Sequence, residues 1–381
     1  GFTASLASTL DASLRDSINY QIGADVVLVP PTDAETAAER NSAGQQTGVD
    51  VRGFNVLPAD DLATIPGVQA VSRVGRYTAQ IVLPNERPQG TILGIDRASM
   101  AAVTRYRADF SAVPLADLFN QLAGQRTGII LSAAFARAHN LTVGGALTVQ
   151  INALNTWAEI SVPVIGLVEY FPTLDPTTPN AFFGLMSLDV VFETVGSELP
   201  YEFWLAVRAD ADRDAIRAQA AALGYPILAW RDPELELQTA LLAPLRRGVL
   251  GFLSVGFLAA VVLTLIGAVI QNAATFRAQT MQLGMLRAMG FGRAAAYIFT
   301  VQALAAFGAV GGGTLIGIAT TLLYLPILDF SGGLPPYFVR VAWGEIMLVY
   351  AAFGSGLLLV ILITTLMLSR ASLSAVIKLG D

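Results

Sequence analysis

The 381-residue chain carries 29 acidic against 23 basic side chains, a formal net charge of −6. That balance argues against nucleic acid, whose phosphates demand a basic footprint. Cysteine is absent, which excludes disulfides, thiolate metal sites and cysteine nucleophiles.

The N-terminal 240 residues are long enough to bury a core of their own, since domains of that size remove about 70% of their unfolded surface from water. Residues 1–20 read as an amphipathic helix, with Leu6, Leu10, Leu14 and Ile18 recurring every fourth position among Asp11, Arg15 and Asp16. Periodicity alone fits two readings equally: a surface helix, or a stalk following a missing first transmembrane helix. Gly23 to Pro30 is apolar and β-branched, a buried strand closed by Pro30 and Pro31. Thr32 to Asp50 has no apolar stripe and reads as a loop. Asp60 to Ile65 follows as a short helix, then Val68 to Val74 and Tyr77 to Leu83 as paired strands.

The matching half comes after Pro200: strand Phe203 to Arg208, helix Asp210 to Leu223 stopped by Gly224, and strand Tyr225 to Trp230. The fold class expected for residues 21–240 is α+β. A split βαβ lobe (21–86 and 200–232) holds a β-rich insertion (87–199). Within the insertion, Gly128 to Leu131 and Ala146 to Ile151 read as strands, with Ile160 to Val168 joined to the latter by a hairpin holding Trp157. Ser132 starts a helix that ends near His139, and Glu234 to Leu245 reads as a second stalk helix.

Residues 241–381 differ in kind. Three apolar runs, about 248–270, 297–325 and 345–369, the last uncharged from Ile346 to Ser369 and the other two uncharged throughout, each have the length to cross a bilayer core, which takes about 20 apolar residues. Arg277, Arg287 and Arg293, with no acid among them, occupy the first connection, and excess arginine in a short loop marks the cytoplasmic side. All-α transmembrane helices are therefore expected here, in a multi-pass plasma-membrane protein with a large extracytoplasmic domain. Gly308, Gly312, Gly313, Gly317, Gly354 and Gly356 offer small-residue faces for helix packing.

Enzyme chemistry is hard to place. The only lysine, Lys378, lies three residues from the end, so no phosphate-cradling loop of the Gly-rich Lys-Ser/Thr kind exists. The sole histidine, His139, reads as a helix C-terminal residue rather than a ligand or base. The pairs Asp60–Asp61 and Asp210–Asp212 lack calcium-loop spacing and suit helix N-termini. No catalytic residue, metal or cofactor is expected.

The run Gln282-Leu-Gly284-Met-Leu286-Arg287-Ala-Met-Gly290 resembles the Glu-Ile-Gly-x-Leu-Arg-Ala-x-Gly signature of the FtsX-like or MacB-like permease family of ABC transporters, and Arg293 and Gln302-Ala-Leu304 continue the pattern. Gly23-Ala-Asp25, Ile65-Pro-Gly-Val68 and Leu141-Thr-Val-Gly144 resemble its extracytoplasmic domain. The usual glutamates are Gln282 and Gln302, and a usual aspartate is Gly145. The resemblance implies a permease subunit, or the C-terminal half of one. In it a coupling helix (273–290) bearing Arg277, Gln282, Gly284, Leu286, Arg287, Gly290 and Arg293 meets a cytosolic ABC ATPase subunit. A second permease copy or half and membrane lipid are the other implied partners. The even number of spans in the family favours the stalk reading of residues 1–20. Export or extraction of an amphiphilic cargo is the implied activity. A non-transporting signalling protein that regulates a cell-wall hydrolase, and an anchored adhesion or sensor domain without an ATPase, are the alternatives.

Overall fold

A computed structural model describes residues 2–31, 58–153 and 156–242, with scattered positions from 248 to 356. Along the chain run α1 (Phe2–Ile22), β1 (Val26–Val29), α2 (Ala59–Ala63), β2 (Val68–Val82), β3 (Gln89–Ile95) and α3 (Met100–Val103). A 3-10 turn (Ala108–Phe110) leads to α4 (Leu115–Gly124), β4 (Ile129–Ser132), α5 (Ala133–Ala138), β5 (Ala146–Ala153), β6 (Thr156–Val168) and β7 (Phe182–Ser187). The remainder is α6 (Leu188–Val195), β8 (Glu202–Val207), α7 (Arg213–Ala222), β9 (Ala229–Arg231) and α8 (Pro233–Leu241). Residues 15–239 form one compact unit, and residues 1–14 with 240–381 form another.

In the first unit, β9, β1, β8 and β2 lie side by side, each antiparallel to its neighbour. With α2 between β1 and β2, and α7 between β8 and β9, this is a split β-α-β lobe. Alternate residues Val26, Leu28, Phe203, Leu205 and Val207 face α2 and α7, where Leu62, Ile216 and Ala220 close a core. Asp212 starts α7 by accepting from the Asp214 and Ala215 amides at 3.0 and 3.1 Å, the usual role of a short acid at a helix N-cap.

The insertion is a closed barrel. Its strands follow the order β3, β7, β4, β6, β5, β2, and a β2–β3 pairing completes the ring. Ile81, Ile92, Leu131, Val149, Val164 and Met186, one from each strand, fill its interior beside α5 and α6. β2 belongs to both bodies. Its first half pairs with β8, its second half with β3 and β5, and Val74 pairs with both Glu202 and Ile95. Two strands, Val68 to Val74 and Tyr77 to Leu83, were expected where this single one runs. In the structure the space over Gly75 is taken by the Tyr77 hydroxyl, so the glycine lets a continuous strand pass an aromatic ring.

The α+β expectation matches the first unit, but the transmembrane half of the expected fold does not stand. Among the described residues no helix is long and apolar enough to cross a membrane. α1 has 21 residues, yet Asp11, Arg15 and Asp16 stand in its middle. The three apolar runs are described only in part, and the loop Thr32 to Asp50 lies outside the described residues. Apolar length alone does not make a span, which also takes a helix of about 20 residues. The multi-pass, plasma-membrane placement falls with the spans.

Candidate functional site

α1 and α8 join the α+β unit through neighbouring strands. β1 begins at Val26 and β9 ends at Arg231, and the antiparallel register sets Val27 opposite Arg231. The chain thus enters and leaves this lobe at one end of one ladder, and each junction is fastened by an arginine from elsewhere in the unit.

At the first junction the last turn of α1 closes with the Gly23 amide on the Asn19 carbonyl at 2.8 Å. Gly23 has φ 85, the left-handed conformation that ends helices. A side chain there would lie 2.7 Å from Cζ3 of the fully buried Trp204. The Gly23 carbonyl accepts from the Arg105 amide at 2.8 Å. The Arg105 guanidinium reaches Asp25 at 2.6 Å and Asn19 at 2.7 Å, while the other Asp25 oxygen accepts from the Val207 amide at 2.9 Å. Asp25 therefore ties β1, β8 and the segment after α3 into one knot.

Arg107 makes a second tie. It grips Asp109 through two nitrogens at 2.8 and 2.6 Å, reaches Asp16 of α1 at 3.2 Å, and lies 4.9 Å from the centre of the Phe110 ring. The Arg107 hydrogen bond holds the Asp109 carboxyl below the usual carboxylate range. Tyr20 meets Phe110 edge-on at 5.6 Å. Burial raises the Tyr20 hydroxyl, and pushes that of Tyr106 up to about 12. A cleft of about 180 Å³ opens between these groups. Its arginines and carboxylates are engaged with one another, an arrangement suited to holding a helix rather than to binding an anion.

At the second junction Asp232 is 7% exposed and caps α8, accepting from the Glu234 amide at 2.8 Å. The same carboxylate oxygen receives the Arg213 guanidinium from the start of α7. α8 is thereby tied to the helix covering the lobe's sheet.

None of the coupling residues inferred from the sequence, Arg277, Gln282, Gly284, Leu286, Arg287, Gly290 and Arg293, lies within the described residues. Gly308, Gly312, Gly313, Gly317, Gly354 and Gly356 occupy helical positions. Over all of these except Gly317, a Cβ would meet no described atom within 4 Å. His139 caps the C-terminal end of α5, 3.1 Å from Glu86, as its reading as a helix-end residue implies. No cluster of metal-ligating side chains occurs among the described residues.

The junction arginines were not singled out from the sequence. Two signals were available: Arg105-Tyr-Arg107, a basic aromatic triplet in an acidic half, and Asp232-Pro233, an N-cap followed by a proline at the first helical position.

No family model matches the sequence, and no curated protein matches it. Distant structural similarity exists to extracytoplasmic domains of the FtsX/MacB permease kind. The periplasmic region of MacB from Actinobacillus actinomycetemcomitans is 14% identical with a TM-score of 0.36, covering 58% of this chain and 95% of that one. The extracellular domain of the noncanonic ABC-type transporter YknZ from Gram-positive bacteria is 15% identical with a TM-score of 0.32, covering 54% and 97%.

Proposed function

We propose that this chain is a permease-type component, or half of one, of an ABC transporter of the FtsX/MacB kind, and that its work is mechanical. A separate ATPase subunit binds and hydrolyses ATP and moves the segment from Arg277 to Gly290. α1 and α8 carry that movement to the α+β unit, which engages or expels an amphiphilic cargo such as a lipid, lipoprotein, peptide or drug. The observation that carries this reading is the register of Val27 against Arg231, which gathers both helix attachments at one end of one ladder. A displacement of either helix acts there on β1, passes through β8 to β2, and so reaches the barrel. The Gln282 to Gly290 motif supports the ATPase partner, and the lack of a phosphate-binding lysine motif assigns hydrolysis to that partner.

Co-purification of the full chain with a nucleotide-binding subunit tests the reading. The subunit is expected to accompany the wild type and to be lost with Leu286→Asp and Arg287→Glu, while the α+β unit keeps its thermal stability. Association that persists undiminished in both variants, or is absent from the wild type under every nucleotide condition, contradicts it.

A further inference from the structure

The loop between β6 and β7 is fastened to the last turn of α1 at one strained residue. Thr173 has φ 71, in the left-handed region that β-branched side chains avoid. Its amide donates to the Tyr20 carbonyl at 2.7 Å, satisfying one of the acceptors a helix leaves unpaired at its C-terminus. From the opposite side Arg76 donates to the Thr173 carbonyl at 3.1 Å and to its hydroxyl at 2.7 Å. The next residue, buried Leu174, accepts from the Tyr20 hydroxyl. Just beyond, Asp175 takes the Thr177 amide and hydroxyl at 2.7 and 2.6 Å, which closes a tight turn.

Unfavourable backbone geometry persists only where the surroundings over-determine it. Here the determinants come from two elements, Tyr20 on α1 and Arg76 on β2. At Arg76, β2 pairs with Leu93 of β3, inside the barrel. We infer that residues 171–175 are a two-position strap, held left-handed at Thr173 while the end of α1 is seated and relaxing when that end is displaced. The barrel thus has a direct link to α1, independent of the route through β1 and β8. The force that displaces α1 rests on the function proposed above, but the link itself does not.

Hydrogen exchange of the full chain, read by mass spectrometry, tests the strap without any ATPase. Arg76→Ala is expected to speed exchange roughly tenfold, the effect of losing a charge-assisted hydrogen bond, both at Thr173 and in the last turn of α1 around Gly23. Thr173→Gly keeps both backbone contacts, gives up the hydroxyl contact with Arg76 and removes the steric penalty, so the same amides are expected to accelerate less than in Arg76→Ala. Acceleration confined to the strap in Arg76→Ala, or acceleration in Thr173→Gly as large as in Arg76→Ala, overturns the inference. Because no partner is present, this outcome is separate from the fate of the ATPase assignment.

Discussion

Val27 of β1 and Arg231 of β9 pair across an antiparallel ladder, with α1 ending at Ile22 on one chain segment and α8 starting at Pro233 on the other. β1 is also bonded along its other edge to β8. Both helix attachments are therefore separated from β2 by the ladder of β9, β1 and β8.

Gly23 is the tightest point of the α1 junction. Gly23→Ala places a methyl group against Trp204 in a backbone region unfavourable to L-residues, for an expected loss of about 2–4 kcal/mol in urea denaturation. Gly224 has φ 90 with open space around it. Gly224→Ala therefore isolates the backbone contribution, with an expected loss of about 1–2 kcal/mol.

Asp25 serves the Arg105 guanidinium and the Val207 amide with separate oxygens. Asp25→Ala leaves both donors unmatched, and equilibrium unfolding is expected to show a loss of roughly 1–3 kcal/mol. Asp25→Asn retains one acceptor and is expected to lose less. Equal losses in the two variants would assign the effect to packing.

Asp232 combines a helix cap with an ion pair. Asp232→Ala is expected to destabilise by about 1–2 kcal/mol from the cap alone, with faster hydrogen exchange at Glu234 and Glu236. Asp232→Asn keeps the cap and forfeits the charge pairing with Arg213, so these amides are expected to stay protected.

Acid is expected to weaken the unit. The Arg107 hydrogen bond lowers Asp109, and that of Arg137 lowers Glu169. For Asp175, burial acts upward, but the Thr177 hydroxyl and amide and the Thr178 hydroxyl outweigh it and hold the carboxyl low. Each folded pKa lies below its unfolded value, so the unfolded chain binds protons more readily. The stabilisation is complete above the ordinary carboxylate pKa, about 4, and disappears as pH falls through the depressed folded values. In thermal melts across this window, Asp109→Asn is expected to show a shallower acid decline than the wild type, and raised salt to reduce the decline further.

Legibility in the sequence followed how local the signal was. The split lobe was readable because Asp212, Gly224 and the alternation of Phe203, Leu205 and Val207 each speak for their own element. The barrel's closure was not, since it depends on β2 pairing with β3 and β5 at once, a long-range choice no window contains. The junctions were equally hidden: Arg105 and Asp25 are 80 positions apart, and Arg76 and Thr173 are 97. The apolar runs after residue 247 announced membrane helices through composition, while among the described residues no helix is long and apolar enough to cross a membrane.

In the proposed function, ATP-driven motion enters the α+β unit through its two helix junctions. Hydrogen exchange of the chain in complex with its ATPase subunit, compared with and without bound ATP, measures this most directly. The expected result is a nucleotide-dependent change at both Asn19 to Gly23 and Asp232 to Glu236, abolished by Leu286→Asp. Identical exchange at both junctions in every nucleotide state, with the ATPase demonstrably bound and active, would contradict it.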